Sequence, residues 1–268
     1  MTSSNQIRKN LQNYLHRLGR SLAGRPEPDL PDIRIQECYT LLDDLCVIPE
    51  SDWAFYALSR EPMNGRFSDE ERIDMYEQAA RCGRQNAEKL IARYGKITAA
   101  KLAEKLGLKV LFPQMPQSRS RILFAEFVEP DTIRVYKDGL QKGEILLQNP
   151  QISRHFPEGA RIENILIAHE LFHVLEMRDP QIWTKNYRIS LWKLGFYENT
   201  SPVAVLSEIA AMAFSQRINE LTFSPYVLDC FLVYGYSPKA ACALYEEMIS
   251  HARRNAQSPA MKLICQTA

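Results

Sequence analysis

The chain lacks the features that would place it in several broad classes. No apolar run approaches the roughly 20 residues a membrane helix needs, and the opening stretch Met1 to Asn10 has no apolar core of the kind a signal peptide carries. A cytoplasmic location without a membrane partner is therefore expected. Net charge is nearly absent, with 33 basic against 32 acidic residues. A chain that grips nucleic acid directly carries a basic surplus, so direct nucleic acid binding is not expected. The six cysteines, Cys38, Cys46, Cys82, Cys230, Cys242 and Cys265, include no CxxC pair. That excludes a cysteine-based zinc knuckle and leaves free buried thiols as the reading. Neither an internal repeat nor a low-complexity tract is present. Histidine is scarce too, with only five in 268 residues, and two of those five stand four residues apart.

Those two lie in Ile167-Ala168-His169-Glu170-Leu171-Phe172-His173. Four residues of α-helix advance about 400°, so His169 and His173 project from nearly one face, a turn apart, within reach of one tetrahedral cation. Glu170 sits about 100° round from His169, beside such an ion rather than on it. There it can take a proton from a coordinated water, which makes it the catalytic base and not a ligand. From Ile165 to Leu175 the segment is apolar nearly all round, which predicts a buried helix. Two imidazoles and a carboxylate in such a place need polar partners.

A catalytic zinc site generally takes three protein ligands and keeps a fourth position for water or substrate. Glu208 is the favoured third ligand. It lies 35 residues after His173 and is the one charged residue between Glu198 and Arg217, within the apolar run Val203 to Phe214. A buried carboxylate there needs a cation. Ala204, Ala210, Ala211 and Ala213 would let this helix come close, and Ser201 and Pro202 read as its N-cap and first residue. Two rivals remain. Asp179 follows His173 at the metzincin spacing, but Glu176 stands where that pattern wants glycine, and Asp179-Pro180 also reads as a helix stop. Glu176 shares the histidine face one turn further on, where it suits an outer-sphere role or solvent.

The stretch Ala168-His169-Glu170-Leu171-Phe172-His173, followed by Glu208-Ile209-Ala210-Ala211-Met212-Ala213-Phe214, resembles the ImmA/IrrE metallopeptidases. Their pattern is an Ala-His-Glu-x-x-His helix and then Glu-x-x-Ala-x-x-Phe-Ala, with Glu208, Ala211 and Phe214 at the matching positions. Phe172 departs from the glycine common before the second histidine, and Ser215 takes the small-residue position after the phenylalanine. The likeness spans about Ile97 to Ile218. It implies an intracellular gluzincin-like peptidase, typically one that cuts a transcriptional repressor, so a protein substrate of that kind is the partner the resemblance suggests.

Along the chain, Ile7 to Leu22 has a helical period that ends at Gly24 and a proline-rich stretch to Pro31. Helices are predicted from Ile33 to Cys46, from the capping box at Ser68 to Tyr94 before Gly95, and from Ile97 to Leu106. Lys109 to Phe112 reads as a strand, and Ile122 to Phe127 with Thr132 to Tyr136 as an antiparallel hairpin. A helix start at Ser237-Pro238 opens a last helix to about Arg254. The expected class is α+β: a predominantly helical, zincin-like peptidase with a small antiparallel sheet before the histidine helix. Residues 1–66 form an N-terminal helical accessory region and 67–268 the peptidase domain. The edge of the sheet either pairs with an extended substrate or is purely structural.

His155, Tyr187 and Tyr197 are candidate oxyanion donors, with ordinary packing as the alternative, while His16 and His251 are expected to be structural. The functional expectation is a metal-dependent endopeptidase with His169, His173 and Glu208 as ligands and Glu170 as base. Zinc is the expected ion, and manganese or iron would suit the same donors. The rival is a non-catalytic metal-binding regulator. Glu170 argues against it, because a structural site needs no base and usually closes with a fourth protein ligand.

Overall fold

The computed structural model describes residues 33–115 and 123–257. The helix predicted over Ile7 to Leu22, the proline-rich stretch, His16 and Cys265 lie outside them. Helices dominate, accompanied by two small sheets, and the class is α+β. In chain order the elements are α1 (Cys38–Leu45), α2 (Trp53–Leu58), α3 (Asp69–Tyr94), α4 (Ala99–Lys105), β1 (Lys109–Leu111), β2 (Ala125–Val128) and β3 (Thr132–Val135). There follow α5 (Lys137–Leu147), α6 (Pro150–Ser153), α7 (Ile162–Arg178), α8 (Trp183–Asn186), β4 (Arg188–Leu194), β5 (Tyr197–Pro202), α9 (Val205–Ile218), α10 (Val227–Tyr234) and α11 (Pro238–Gln257). No helix among the described residues is long and apolar enough to cross a membrane.

Local chemistry accounts for several boundaries. Ser68 and Glu71 form the reciprocal capping box that starts α3, and Gly95 ends it at φ 77°. Thr98 caps α4 by accepting from the Lys101 N–H, so that helix begins two residues later than its apolar pattern suggests. The helix predicted from Ile33 to Cys46 is also shorter, starting at Cys38. Helix α5 has no counterpart in the sequence reading. Its Gly139 and Gly143 are buried, and they lower helix propensity where the fold needs close approach. A Cβ at Gly143 would sit 2.5 Å from Ile162 Cδ1.

The three-stranded sheet corrects the expectation of an antiparallel one. Its order is β1-β3-β2, with β1 parallel to β3 and β2 antiparallel to it. Alternation reveals strands but not their order. The central place goes to β3 because Ile133 and Val135 are fully buried, while β1 and β2 are half-buried or exposed edges. A second correction concerns Ser201 and Pro202. They do not start the Glu208 helix; they end β5, which pairs with β4 as a hairpin, Ser201 opposite Ile189 and Pro202 opposite Arg188. The aromatic and β-branched residues of 188–202 favour that pairing, and the proline sits at a strand terminus where its missing N–H costs little.

Two hydrophobic clusters meet along α7 and α9. One gathers α1, α2, the first half of α3, α10 and α11 around Ile165, Leu206 and Ile209. The other joins α4, β3 and the second half of α3 to Ile167, Leu171, Phe172, Ala210 and Phe214. Burial of each such side chain contributes roughly 1.5–3 kcal/mol, which offsets the cost of keeping imidazoles and carboxylates among them. The described cysteines are all unpaired, Cys46 partly exposed and the rest buried.

Candidate metal centre

Helix α7 places both imidazoles on the side facing α9, and Glu208 enters from the first turn of α9. The structure brings the three donors together. His169 Nε2 lies 3.2 Å from His173 Nε2, and Glu208 Oε2 and Oε1 lie 3.3 Å and 3.6 Å from those two nitrogens respectively. Tetrahedral zinc bonds of about 2.0–2.2 Å imply donor–donor edges of roughly 3.3–3.6 Å. The triangle therefore fits a divalent ion, and its nitrogen–oxygen set suits zinc, manganese or iron. It is the one such cluster among the described residues. Asp179 takes no part. It follows the last residue of α7, is exposed, and its Oδ1 accepts from the Gln181 N–H at 2.8 Å.

The charges are mutually adjusted. Burial alone would push the Glu208 carboxyl up, but the hydrogen bond and charge of His169 outweigh it and hold the group at about 2. Burial would lower His169, yet the same hydrogen bond and charge of Glu208 raise it to about 9. An imidazole must shed its proton to bind a cation, so the ion would replace the proton that links this pair. The Glu208 side chain remains 53% accessible and opens onto the cleft. Glu170, by contrast, is 8% exposed. Burial raises its carboxyl, partly opposed by both imidazoles and by a hydrogen bond from the Phe127 backbone.

Behind the triangle stands a relay that sequence reasoning only half found. Ser207 Oγ donates to Glu176 Oε2 at 2.6 Å and accepts from His173 Nδ1 at 3.1 Å. Thr184 Oγ1 also donates to Glu176. With Nδ1 carrying the proton, His173 turns an unprotonated Nε2 toward the other donors. Glu176 thus has the outer role its place on the histidine face suggested. Ser207 and Thr184 carry no comparable signal, because their contacts arise only when α8 and α9 fold back on α7. An unforeseen carboxylate, Glu61, is 5% exposed and accepts the Val205 N–H at 3.4 Å. It stands at the start of α9, where Ala204 offers no side-chain cap, and favours the positive end of the helix one turn before Glu208.

His169, Glu170 and Glu208 line a cleft of about 280 Å³ with Ala125 of β2, Arg60 and a largely apolar wall. The proposed oxyanion donors do not line it. His155 pairs with Asp43 at 3.1 Å, Tyr187 packs on Trp183, and Tyr197 lies against Trp192 and is mostly exposed. His251 is buried beside Tyr56. Phe172, the departure from the family pattern, is fully buried against Phe214. No family model matches the chain, nor does any curated protein or solved structure, so the reading of this site rests on its own geometry.

Proposed function

We propose that the chain is a metal-dependent endopeptidase of zincin-like design, in which His169, His173 and Glu208 hold a zinc or similar ion and Glu170 is the general base. The observation that carries this reading is the donor triangle, two of whose members, His169 and Glu208, share one cleft with a buried carboxylate, Glu170, that is not part of it. When bound, the ion would supply Lewis acidity to a water and to the scissile carbonyl. Glu170 takes the attacking water's proton and returns it to the leaving amine nitrogen. Its elevated proton affinity suits both halves of that transfer. Edge strand β2 lies against this machinery, its Ala125 in the cleft beside Glu170. An extended peptide added to that edge would pass the base. The ImmA/IrrE resemblance belongs to the same proposal, as does a transcriptional repressor as the protein cut.

Glu170→Gln tests the reading. The amide keeps the shape, so the metal content should stay at one ion per chain. Turnover of a denatured protein mixture and of candidate repressors should fall by about 10²-fold or more. Undiminished turnover with metal retained would remove Glu170 from the mechanism.

A further inference from the structure

None of the three oxyanion candidates reaches the cleft, but one cationic side chain does. Arg60 follows α2 and lines the same cleft as His169, Glu170 and Glu208, together with Asp229 of α10. Its Nη2 donates to Asp229 Oδ2 at 2.9 Å and to the Tyr56 hydroxyl. The guanidinium carbon lies 4.5 Å from the Tyr56 ring centre, and that hydroxyl in turn donates to Asp229 Oδ2 at 3.1 Å. A guanidinium held on one edge by a carboxylate and stacked on a ring loses little freedom when it binds something else. No described residue takes its Nε or Nη1, and its side chain is 43% accessible.

The wall beside it is apolar: Ile165 and Leu166 from α7, Met212 from α9, and Leu228 and Leu232 from α10. Arg60 is matched by Asp229, and the wall itself presents no charge to a side chain. A charged residue set against that wall would lose its hydration without a partner from the wall itself, whereas an aliphatic or aromatic one would be favoured. Directed donors over an apolar pocket suit the carbonyl oxygen and side chain of a single residue.

On the peptidase reading, we infer that Arg60 is a substrate-binding residue that holds a peptide main-chain carbonyl, while the adjoining pocket takes a large apolar side chain beside the scissile bond. Sites cut by the zinc-loaded protein in a denatured protein mixture, read by mass spectrometry, should be enriched in Leu, Ile, Met or Phe at one flanking position. For a peptide built on the most frequent site, Arg60→Met and Arg60→Lys should each raise KM about 10-fold or more and leave zinc affinity unchanged. The lysine variant keeps a cation beside Asp229 and so guards against misfolding. Cleavage without apolar enrichment, or unchanged KM in Arg60→Lys, overturns the inference and leaves the peptidase intact. No cleavage in any mixture by protein that binds zinc overturns the peptidase and this inference together.

Discussion

Gly83→Ala is the substitution whose ordinary effect the structure reverses. Alanine in place of glycine inside a helix normally adds about 1 kcal/mol of stability. Gly83 lies in the middle of α3, where α9 crosses it, and a Cβ there would stand 2.0 Å from the Ala210 carbonyl oxygen and 3.0 Å from the Phe214 nitrogen. The obstruction is the backbone of a neighbouring helix, not a side chain that can swing away. Restoring ordinary contact at 3.4 Å moves α9 by about 1.4 Å. Overpacking costs about 1–3 kcal/mol, and a backbone obstruction puts this case at the upper end, about 2–3 kcal/mol, which exceeds the gain in propensity. A net loss of about 1–2 kcal/mol lowers Tm by roughly 2–8 °C in a chain of this size. The displaced segment carries Glu208 two residues before Ala210. Metal sites tolerate about 0.2 Å in donor position, so zinc affinity should fall on the order of 10-fold. Thermal melts of chelated protein and zinc titration against a competing chelator read the two effects separately. A variant that melts at or above the wild-type temperature and binds zinc unchanged would refute the close crossing of α3 and α9.

Two further outcomes follow from the site. Ser207→Ala breaks the relay that sets the His173 tautomer and should weaken zinc binding about 10–100-fold; Glu176→Gln should do the same, and wild-type affinity in both variants would deny the relay any role. In chelated protein, His169 is raised from an ordinary 6.5 to about 9, so its contribution to stability is complete below pH 6.5 and is lost as pH rises through 9. The Tm of chelated protein should therefore decline across that window, while zinc-loaded protein, whose imidazole has already shed its proton, should not follow. Parallel Tm profiles for the two forms would contradict the His169–Glu208 pairing.

The helix of His169 and His173 was legible because its information is local. A spacing of four puts His169 and His173 on one helical face whatever surrounds them, and the apolar run from Ile165 to Leu175 marks that helix as buried. Glu208 was legible for a related reason, as a lone carboxylate in an apolar stretch. The start of its helix was not. Ser201-Pro202 has the local chemistry of a helix N-terminus, but pairing with Arg188 and Ile189 claims those residues for a hairpin. The cap falls instead to Glu61, 144 residues earlier in the chain.

Sequence alone thus determined the histidine pair on one helical face, the carboxylate between them, the lone acid that joins them and an α+β chain, all set by spacing along one element or by the burial its composition demands. Tertiary structure decided the rest. It ordered the sheet as β1-β3-β2, made Gly83 the crossing point of two helices, and turned Ser207 toward Glu176. It also carried Arg60 into the cleft and His155 away from it. Each of these depends on which surfaces meet across long stretches of chain, and a residue's identity does not specify the neighbour it will meet there.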